Sequence, residues 1–369
     1  MTSTSQAGGA RLRAALEPLL DGLPARDAAS AVERLMTSYR GRTPTHTPVL
    51  RDRADAVAYA AYRMPATFAA VADAFGRLAA RRPGWAPADH VDVGAGTGAA
   101  AWAAADAWSA PAGRRTLLLD WAGPAIELGR ELAARSAEPA LRAAEWRRQA
   151  VDPACELPAA DLVSACYVLG ELDEPARAAV ADAAARAARP GGAVVLVEPG
   201  SPDGYLRIRA ARDRLIAAGL RVLAPCPHGG VCPIEVGADW CHFASRVERS
   251  SLHRRVKGGS LPYEDEKFSY VAAVRPEASA PEAPASEASA SDASEAPGER
   301  PEARVVRRPL PRKGQVLLDL CTADGELRRE TVSRRQGPAY RAARNAGWGD
   351  AWPAPGPPQS PPESPPEAP

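Results

Sequence analysis

Residues 91–100 read Val91-Asp92-Val93-Gly94-Ala95-Gly96-Thr97-Gly98-Ala99-Ala100. A short apolar run meets three glycines spaced by single residues and passes into alanines, the pattern of a strand turning sharply into a helix. Glycine suits such a turn because the backbone must approach a ligand closely, and a helix start offers free N–H groups to face it. Asp120 ends the next predicted strand, where a carboxylate can accept hydrogen bonds from ribose hydroxyls. The dinucleotide fingerprint is Gly-x-Gly-x-x-Gly. The tighter spacing here, with Asp92 before it and Asp120 after, favours the S-adenosylmethionine (SAM) version of the turn. Asp92, Gly94, Gly96, Gly98 and Asp120 are therefore the candidate cofactor-binding residues. The plain alternative is an alanine-rich strand-to-helix turn that holds no ligand.

Around this turn, short apolar runs alternate with helix-length segments: His90–Val93, Thr116–Asp120, Asp161–Ala165 and Ala193–Glu198. Such alternation implies right-handed βαβ units and an α/β, doubly wound parallel sheet, a Rossmann-like domain of the SAM-methyltransferase type over residues 89–275. Residues 1–88 form a helical lead-in, with helical apolar spacing at Leu12, Ala15, Leu16 and Leu19 and again over Ala54–Ala80, broken at Met64-Pro65. A strand is expected over Lys267–Val274. Residues 276–303 are Ala/Ser/Glu/Pro repetition with no apolar period, hence a disordered insertion. In residues 304–352, Gln315–Cys321 and Leu327–Val332 flank Ala323-Asp324-Gly325 as the strands of a β-hairpin flank its turn. The Pro-rich tail, 353–369, is expected to be disordered.

Three of the six cysteines of this 369-residue chain fall between positions 226 and 241. The stretch reads Pro225-Cys226-Pro227-His228-Gly229-Gly230-Val231-Cys232-Pro233, then Asp239-Trp240-Cys241-His242-Phe243, and its glycines and prolines preclude a continuous helix. An irregular loop can wrap thiolates around one centre. Three thiolates complete neither a closed zinc site nor a four-iron cluster, so a fourth ligand is needed from His228, His242 or the distant Cys321. The spacing is unlike the Cys-x2-Cys pairs of zinc ribbons, which favours an iron-sulfur site over zinc; unligated structural cysteines are the third reading. Cys166, ending the fourth apolar run, is a candidate nucleophile, but a buried small thiol is the better reading. That run lacks the Asn/Asp-Pro-Pro-aromatic sequence of many amino-group methyltransferases, and no catalytic base declares itself.

Net charge is +1, so no global field draws the chain to nucleic acid or membrane. Met1–Ala10 lacks the features of an export signal, and no stretch approaches the roughly 20 apolar residues of a membrane span. A soluble, cytoplasmic protein is expected.

Tyr59-Ala60-Ala61-Tyr62-Arg63-Met64-Pro65-Ala66-Thr67, the cysteine loop, and Tyr263-Glu264-Asp265-Glu266-Lys267-Phe268-Ser269-Tyr270 together resemble the Rsm-type small-ribosomal-subunit methyltransferase-like family. That family comprises a mitochondrial small-subunit assembly factor, methyltransferase-like protein seventeen, and its bacterial relatives. The resemblance runs from about Ala54 to Asp350. It implies a 4Fe-4S cluster held by Cys226, Cys232, Cys241 and, on the C-terminal hairpin, Cys321. It also implies association with the small ribosomal subunit and its rRNA, while leaving methyl transfer itself open. Arg246, Arg249, Arg254, Arg255 and Lys257, with Arg304, Arg307, Arg308, Arg312 and Lys313, would then be gathered by the cluster onto one phosphate-binding surface. The alternatives are a nonenzymatic rRNA-binding assembly factor and a zinc-stabilised methyltransferase with a non-ribosomal substrate.

Overall fold

The computed structural model describes residues 3–20, 30, 32–34, 50–108, 113–151, 156–249, 261–277 and 301–353. Most of the Ala/Ser/Glu/Pro insertion, the tail beyond Pro353, and Arg254, Arg255 and Lys257 lie outside them.

The lead-in includes the helices α1 (Ser3–Leu20), α2 (Arg53–Tyr62) and α3 (Met64–Arg81). Asp52 caps α2 by accepting from the Asp55 N–H at 2.8 Å. The expected break falls at Arg63, because Pro65 has no N–H to give a continuing helix and fits only a first turn. The main domain then runs β1 (Asp89–Val93), α4 (Ala99–Ala107), β2 (Arg115–Asp120), α5 (Gly123–Ala134), α6 (Pro139–Arg142), β3 (Glu145–Arg148) and β4 (Ala160–Cys166). It continues through α7 (Glu174–Ala187), β5 (Ala188–Pro199), α8 (Pro202–Ala217), β6 (Arg221–Ala224), β7 (Phe243–Glu248) and β8 (Tyr263–Val274).

These strands form one eight-stranded sheet in the order β3-β2-β1-β4-β5-β8-β6, with β7 also paired to β8. Strands β3 to β5 in that order are parallel, but β8 runs antiparallel to β5, β6 and β7. The doubly wound fold expected from sequence is thus present, with a mixed rather than wholly parallel sheet. Central strands β4 and β5 are buried on both faces, which is why they read as continuous apolar runs. Leu12, Phe75, Leu78, Trp102 and Leu132 from the lead-in helices, α4 and α5 cover one face. Val180, Ala184, Ile208 and Leu215 of α7 and α8 cover the other.

A second sheet follows, of β9 (Ala303–Val305), β10 (Leu310–Arg312), β11 (Gln315–Thr322), β12 (Leu327–Ser333) and β13 (Ala351–Trp352), ordered β10-β11-β9-β13 with β12 on β11. The hairpin β11–β12 is the one anticipated, but it lies within a larger sheet. Helix α9 (Pro338–Asn345) packs on it, and Val305, Val316, Leu318, Leu320, Val332 and Trp352 give it a core of its own.

Candidate functional site

The glycine turn lies where β1 enters α4, with Gly94, Gly96 and Gly98 all at positive φ. Each glycine is required for a different reason. A Cβ on Gly94 would strike Val168 and one on Gly98 would strike Trp146, whereas one on Gly96 would meet nothing within 4 Å. Gly96 is therefore the point where the turn faces open space. Four amides of the turn are already bonded internally: Gly94 and Ala95 to Leu119 O, Gly98 to Ala95 O, and Gly96 to Asp120 Oδ2 at 2.7 Å. The free N–H groups expected there are thus largely used by the protein, so the turn is not the amide cradle that a pyrophosphate requires.

Asp120 also accepts from the Ala122 N–H through Oδ1 at 2.8 Å, and the Trp121 backbone adds a further bond, so both its oxygens fasten the turn. Burial pushes its carboxyl up, against the pull of these backbone bonds. Beneath the turn, Ser164 Oγ donates to Asp92 Oδ1 at 2.6 Å and lies 2.7 Å from His90 Nε2. All three residues are buried. Burial pushes Asp92 up to about 7 and His90 down to about 3, so His90 is neutral across the physiological range.

Beyond the end of β4, Arg63 binds Glu266 through both terminal nitrogens at 2.9 and 3.2 Å, and Tyr167 donates to Glu266 Oε1 at 3.0 Å. The two family strings, 59–67 and 263–270, are joined by this pair. Tyr167, just past the end of β4, is the one described non-glycine residue in the left-handed region, at φ 61°. Glu171 in the following 3-10 turn is pushed up to about 8 by burial, with Asp120 and Glu198 adding to it. Neighbouring Cys166 is buried and its thiol is raised well above the ordinary value by that burial, as a packed structural thiol would be.

Cys226 and Cys232 lie in the loop after β6, Cys241 lies just before β7, and Cys321 lies on β11. All four line one cavity between the main domain and the C-terminal sheet, of about 580 Å³ counting its mouth. Among the described residues, no three His, Cys, Asp or Glu side chains converge closely enough to grip one ion. The thiols surround a space and do not meet at a point.

Tyr205 OH lies 3.3 Å from Cys232 Sγ, and His228 Nε2 lies 3.4 Å from Cys321 Sγ. Arg212 donates to the carbonyls of His228 and Gly230, and Arg304 to that of Pro225, so two buried guanidiniums bolt the cysteine loop from opposite sides. Arg212 Nε and Arg304 Nη2 have no hydrogen-bond partner of their own. Burial raises the Cys226 thiol, while both guanidiniums pull it back. Burial likewise pushes Cys321 up to about 12, with Cys226 and Cys232 adding. Of the three sequence candidates for a fourth ligand, His228 and Cys321 line the cavity and His242 does not. His242 is stacked on Trp240, with ring centroids 5.2 Å apart, and packed edge-on to Trp348.

Of the ten basic residues expected to share one surface beside the cysteines, four lie against carboxylates and one is buried, Arg312 and Lys313 are exposed, and Arg254, Arg255 and Lys257 lie outside the described residues. Arg246 pairs with Asp265 at 3.0 Å, Arg249 with Glu264 at 2.9 Å and Arg307 with Asp239, while Arg308 lies 3.8 Å from Asp265. Arg304 is buried. Sequence spacing shows neither these pairings nor the inward turn of Arg212 and Arg304, because both depend on residues distant along the chain.

Residues 53–353 match the protein family described as Mitochondrial small ribosomal subunit Rsm22. The chain belongs to the Rsm22 family. It is 29% identical over 313 residues to the human ribosome assembly protein METTL17, mitochondrial, covering 80% of this chain and 62% of that protein. It is 32% identical over 185 residues to the Rsm22-cox11 tandem protein 2, mitochondrial, of Schizosaccharomyces pombe, covering 44% of this chain and 25% of that protein. It is 24% identical over 244 residues to the ribosome assembly protein RSM22, mitochondrial, of Saccharomyces cerevisiae, with 44% and 39% covered. This Rsm22-family chain thus spans between a quarter and about three-fifths of the length of these relatives. Among solved structures it is similar to an O-methyltransferase family protein from Burkholderia thailandensis, at 15% identity and TM-score 0.39, covering 67% of this chain and 69% of that one. No conclusion about activity follows from overlap at that level. Among the described residues no helix is long and apolar enough to cross a membrane.

Proposed function

We propose that this chain is an assembly protein of the small ribosomal subunit that binds its rRNA, holds a 4Fe-4S cluster through Cys226, Cys232, Cys241 and Cys321, and binds SAM at Gly94–Gly98. The observation that carries the reading is the meeting of those four cysteines, drawn from two sheets and nearly a hundred positions, around one cavity. A single zinc ion needs its sulfur ligands about 2.3 Å from one point. A four-iron cluster takes one thiolate at each of four separate irons, which suits thiols placed around a space. Arg212 and Arg304 supply buried positive charge against the thiolates, and each has an N–H to give. When bound, such a cluster supplies a cross-link between the two sheets and a one-electron redox centre.

The SAM reading rests on the open side of Gly96 and on a turn whose amides are internally bonded, which favours an adenosyl group over a phosphate. Asp92 would act beneath the turn, and Asp120 would meet the ribose. The second reading, an RNA-binding platform without catalysis, is favoured by the internal engagement of both Asp120 oxygens and by the buried state of Cys166. Location in the cytoplasm belongs to the proposal; the named relatives are mitochondrial.

Anaerobically purified protein is expected to be brown with about four irons per chain. Colourless protein with stoichiometric zinc would overturn the cluster assignment. Crosslinking to rRNA tests the partner, and mass spectrometry of that rRNA from a deletion strain decides between enzyme and platform. An unchanged modification profile would leave the platform.

A further inference from the structure

Six cations at one end of the C-terminal sheet are exposed and take part in no ion pair among the described residues. Arg312 and Lys313 flank the Gly314 turn between β10 and β11, and Arg334 and Arg335 occupy the 3-10 turn after β12. The Arg334 N–H donates to Gly314 O at 2.8 Å, so the two turns are held side by side. Arg341 and Arg344 continue the group along α9, whose buried residue is Ala343. Being three positions apart, they share a helix face. All six side chains are exposed.

No aspartate or glutamate occurs in residues 303–318 or 331–349, although the whole chain has a net charge of only +1. This contrasts with Arg246, Arg249, Arg304, Arg307 and Arg308, which are paired or buried. Five of the six cations are arginine, whose planar fork matches phosphate oxygens bidentately. Arg341 and Arg344 are separated by about 4.5 Å along the helix axis.

We infer that this end of the C-terminal sheet is the surface that grips the phosphate backbone of RNA. The inference rests on the reading of the chain as an rRNA-binding protein and goes further in assigning the face. Backbone-anchored turns and a packed helix hold the cations on a rigid base, so little side-chain ordering beyond the arginine stems themselves is required on binding.

The test is fluorescence anisotropy of the full chain with transcribed small-subunit rRNA fragments over roughly 50 to 200 mM salt. The variant Arg334→Ala/Arg335→Ala/Arg341→Ala/Arg344→Ala is expected to bind at least about tenfold more weakly, with a slope of log K against log salt shallower by about 3. The comparison variant Arg246→Ala/Arg308→Ala, removing two cations that face Asp265, is expected to stay within about twofold of wild type. Circular dichroism checks folding, and Arg334→Ala/Arg335→Ala alone should reduce the slope by about half as much. An unchanged slope in the fourfold variant, with wild type binding normally, would overturn this surface and leave the RNA reading intact. Failure of wild type to bind any fragment would overturn both. Binding to phosphatidylcholine/phosphatidylglycerol vesicles that the fourfold variant loses, with its RNA affinity unchanged, would assign the face to lipid and overturn the inference.

Discussion

Arg304 on β9 donates through Nε to the carbonyl oxygen of Pro225 at 2.9 Å, fastening the C-terminal sheet to the residue just before Cys226. Its Nη1 binds Gly349 O, also at 2.9 Å, and the side chain is buried. Arg304→Gln should destabilise the protein by about 1–3 kcal/mol, since it removes a buried charged donor and leaves the Pro225 carbonyl without this partner, while Gly349 O keeps its bond from Arg77. In iron-free protein, alkylation of Cys321 should then become faster, as the strand carrying it loosens. Equal alkylation rates in the variant and wild type would show that Arg304 does not secure the seam.

Cys321 and His228 are the two surviving candidates for the fourth ligand, 3.4 Å apart. Cys321→Ser is expected to lower the iron content and to speed proteolysis within residues 303–353 together. His228→Ala is expected to retain most of the iron while making the bound centre more labile to oxygen, because it removes only a hydrogen bond to the sulfur. Full iron in Cys321→Ser with loss in His228→Ala would reverse the assignment.

The glycine turn and strands β1, β2, β4 and β5 were legible because two-sided burial makes apolar runs, and because a turn against Val168 and Trp146 demands glycine. Edge strand β3 was not: it reads Glu145-Trp146-Arg147-Arg148, with Trp146 alone buried. Strands of two or three residues such as β9 and β13 carry too little pattern to be seen. The cysteine loop announced three thiols through local spacing, whereas Cys321 joined them through family likeness and a hairpin. Arg304 reads in the sequence as a surface cation and Arg212 carries no signal at all, because nothing in an arginine-rich sequence separates a buried guanidinium from an exposed one. The ion pairs on the cysteine side are hidden from the sequence for a related reason: Arg246 and Asp265 are nineteen positions apart and meet only when β7 pairs with β8.

Arg63 and Glu266 should show measurable energetic coupling. Their side chains are 25% and 12% exposed, the geometry is bidentate, and Tyr167 adds a third hydrogen bond. A double-mutant cycle with Arg63→Met and Glu266→Gln in urea denaturation is expected to give a coupling of about 1–3 kcal/mol. A coupling within error of zero would mean the pair is screened and does not tie the lead-in helices to β8.

SAM binding should depend on the one glycine that faces open space. Gly96→Arg sends a side chain toward that space from a Cβ that meets nothing within 4 Å, although its φ of 55° carries a modest backbone strain. Isothermal calorimetry is expected to give heat with SAM for wild type and none for the variant, with thermal unfolding lowered only slightly. Equal heats would place the ligand elsewhere, and no heat in either would favour the platform.

Asp92 should make the protein less stable as pH rises. Its folded value is raised by burial to about 7, above the ordinary 3.8, so the folded state favours the neutral carboxyl. The stability this provides is fully present below about pH 4 and is lost as pH climbs through 7, because the unfolded chain ionises first and releases its proton more readily. The slope attributable to this group cannot exceed about 1.4 kcal/mol per pH unit. Asp92→Asn keeps an oxygen for the Ser164 hydroxyl and removes the ionisation, so its urea midpoint relative to that of wild type should rise between pH 5 and 7. His90, lowered to about 3 in the same chain of hydrogen bonds, stays neutral in the folded state while the unfolded imidazole takes up a proton below about 6.5, so it adds an opposite, rising slope on the acid side that both proteins share. Parallel pH profiles for the two proteins would show that Asp92 does not titrate there, and its carboxyl would then be held as an anion by a partner other than Ser164.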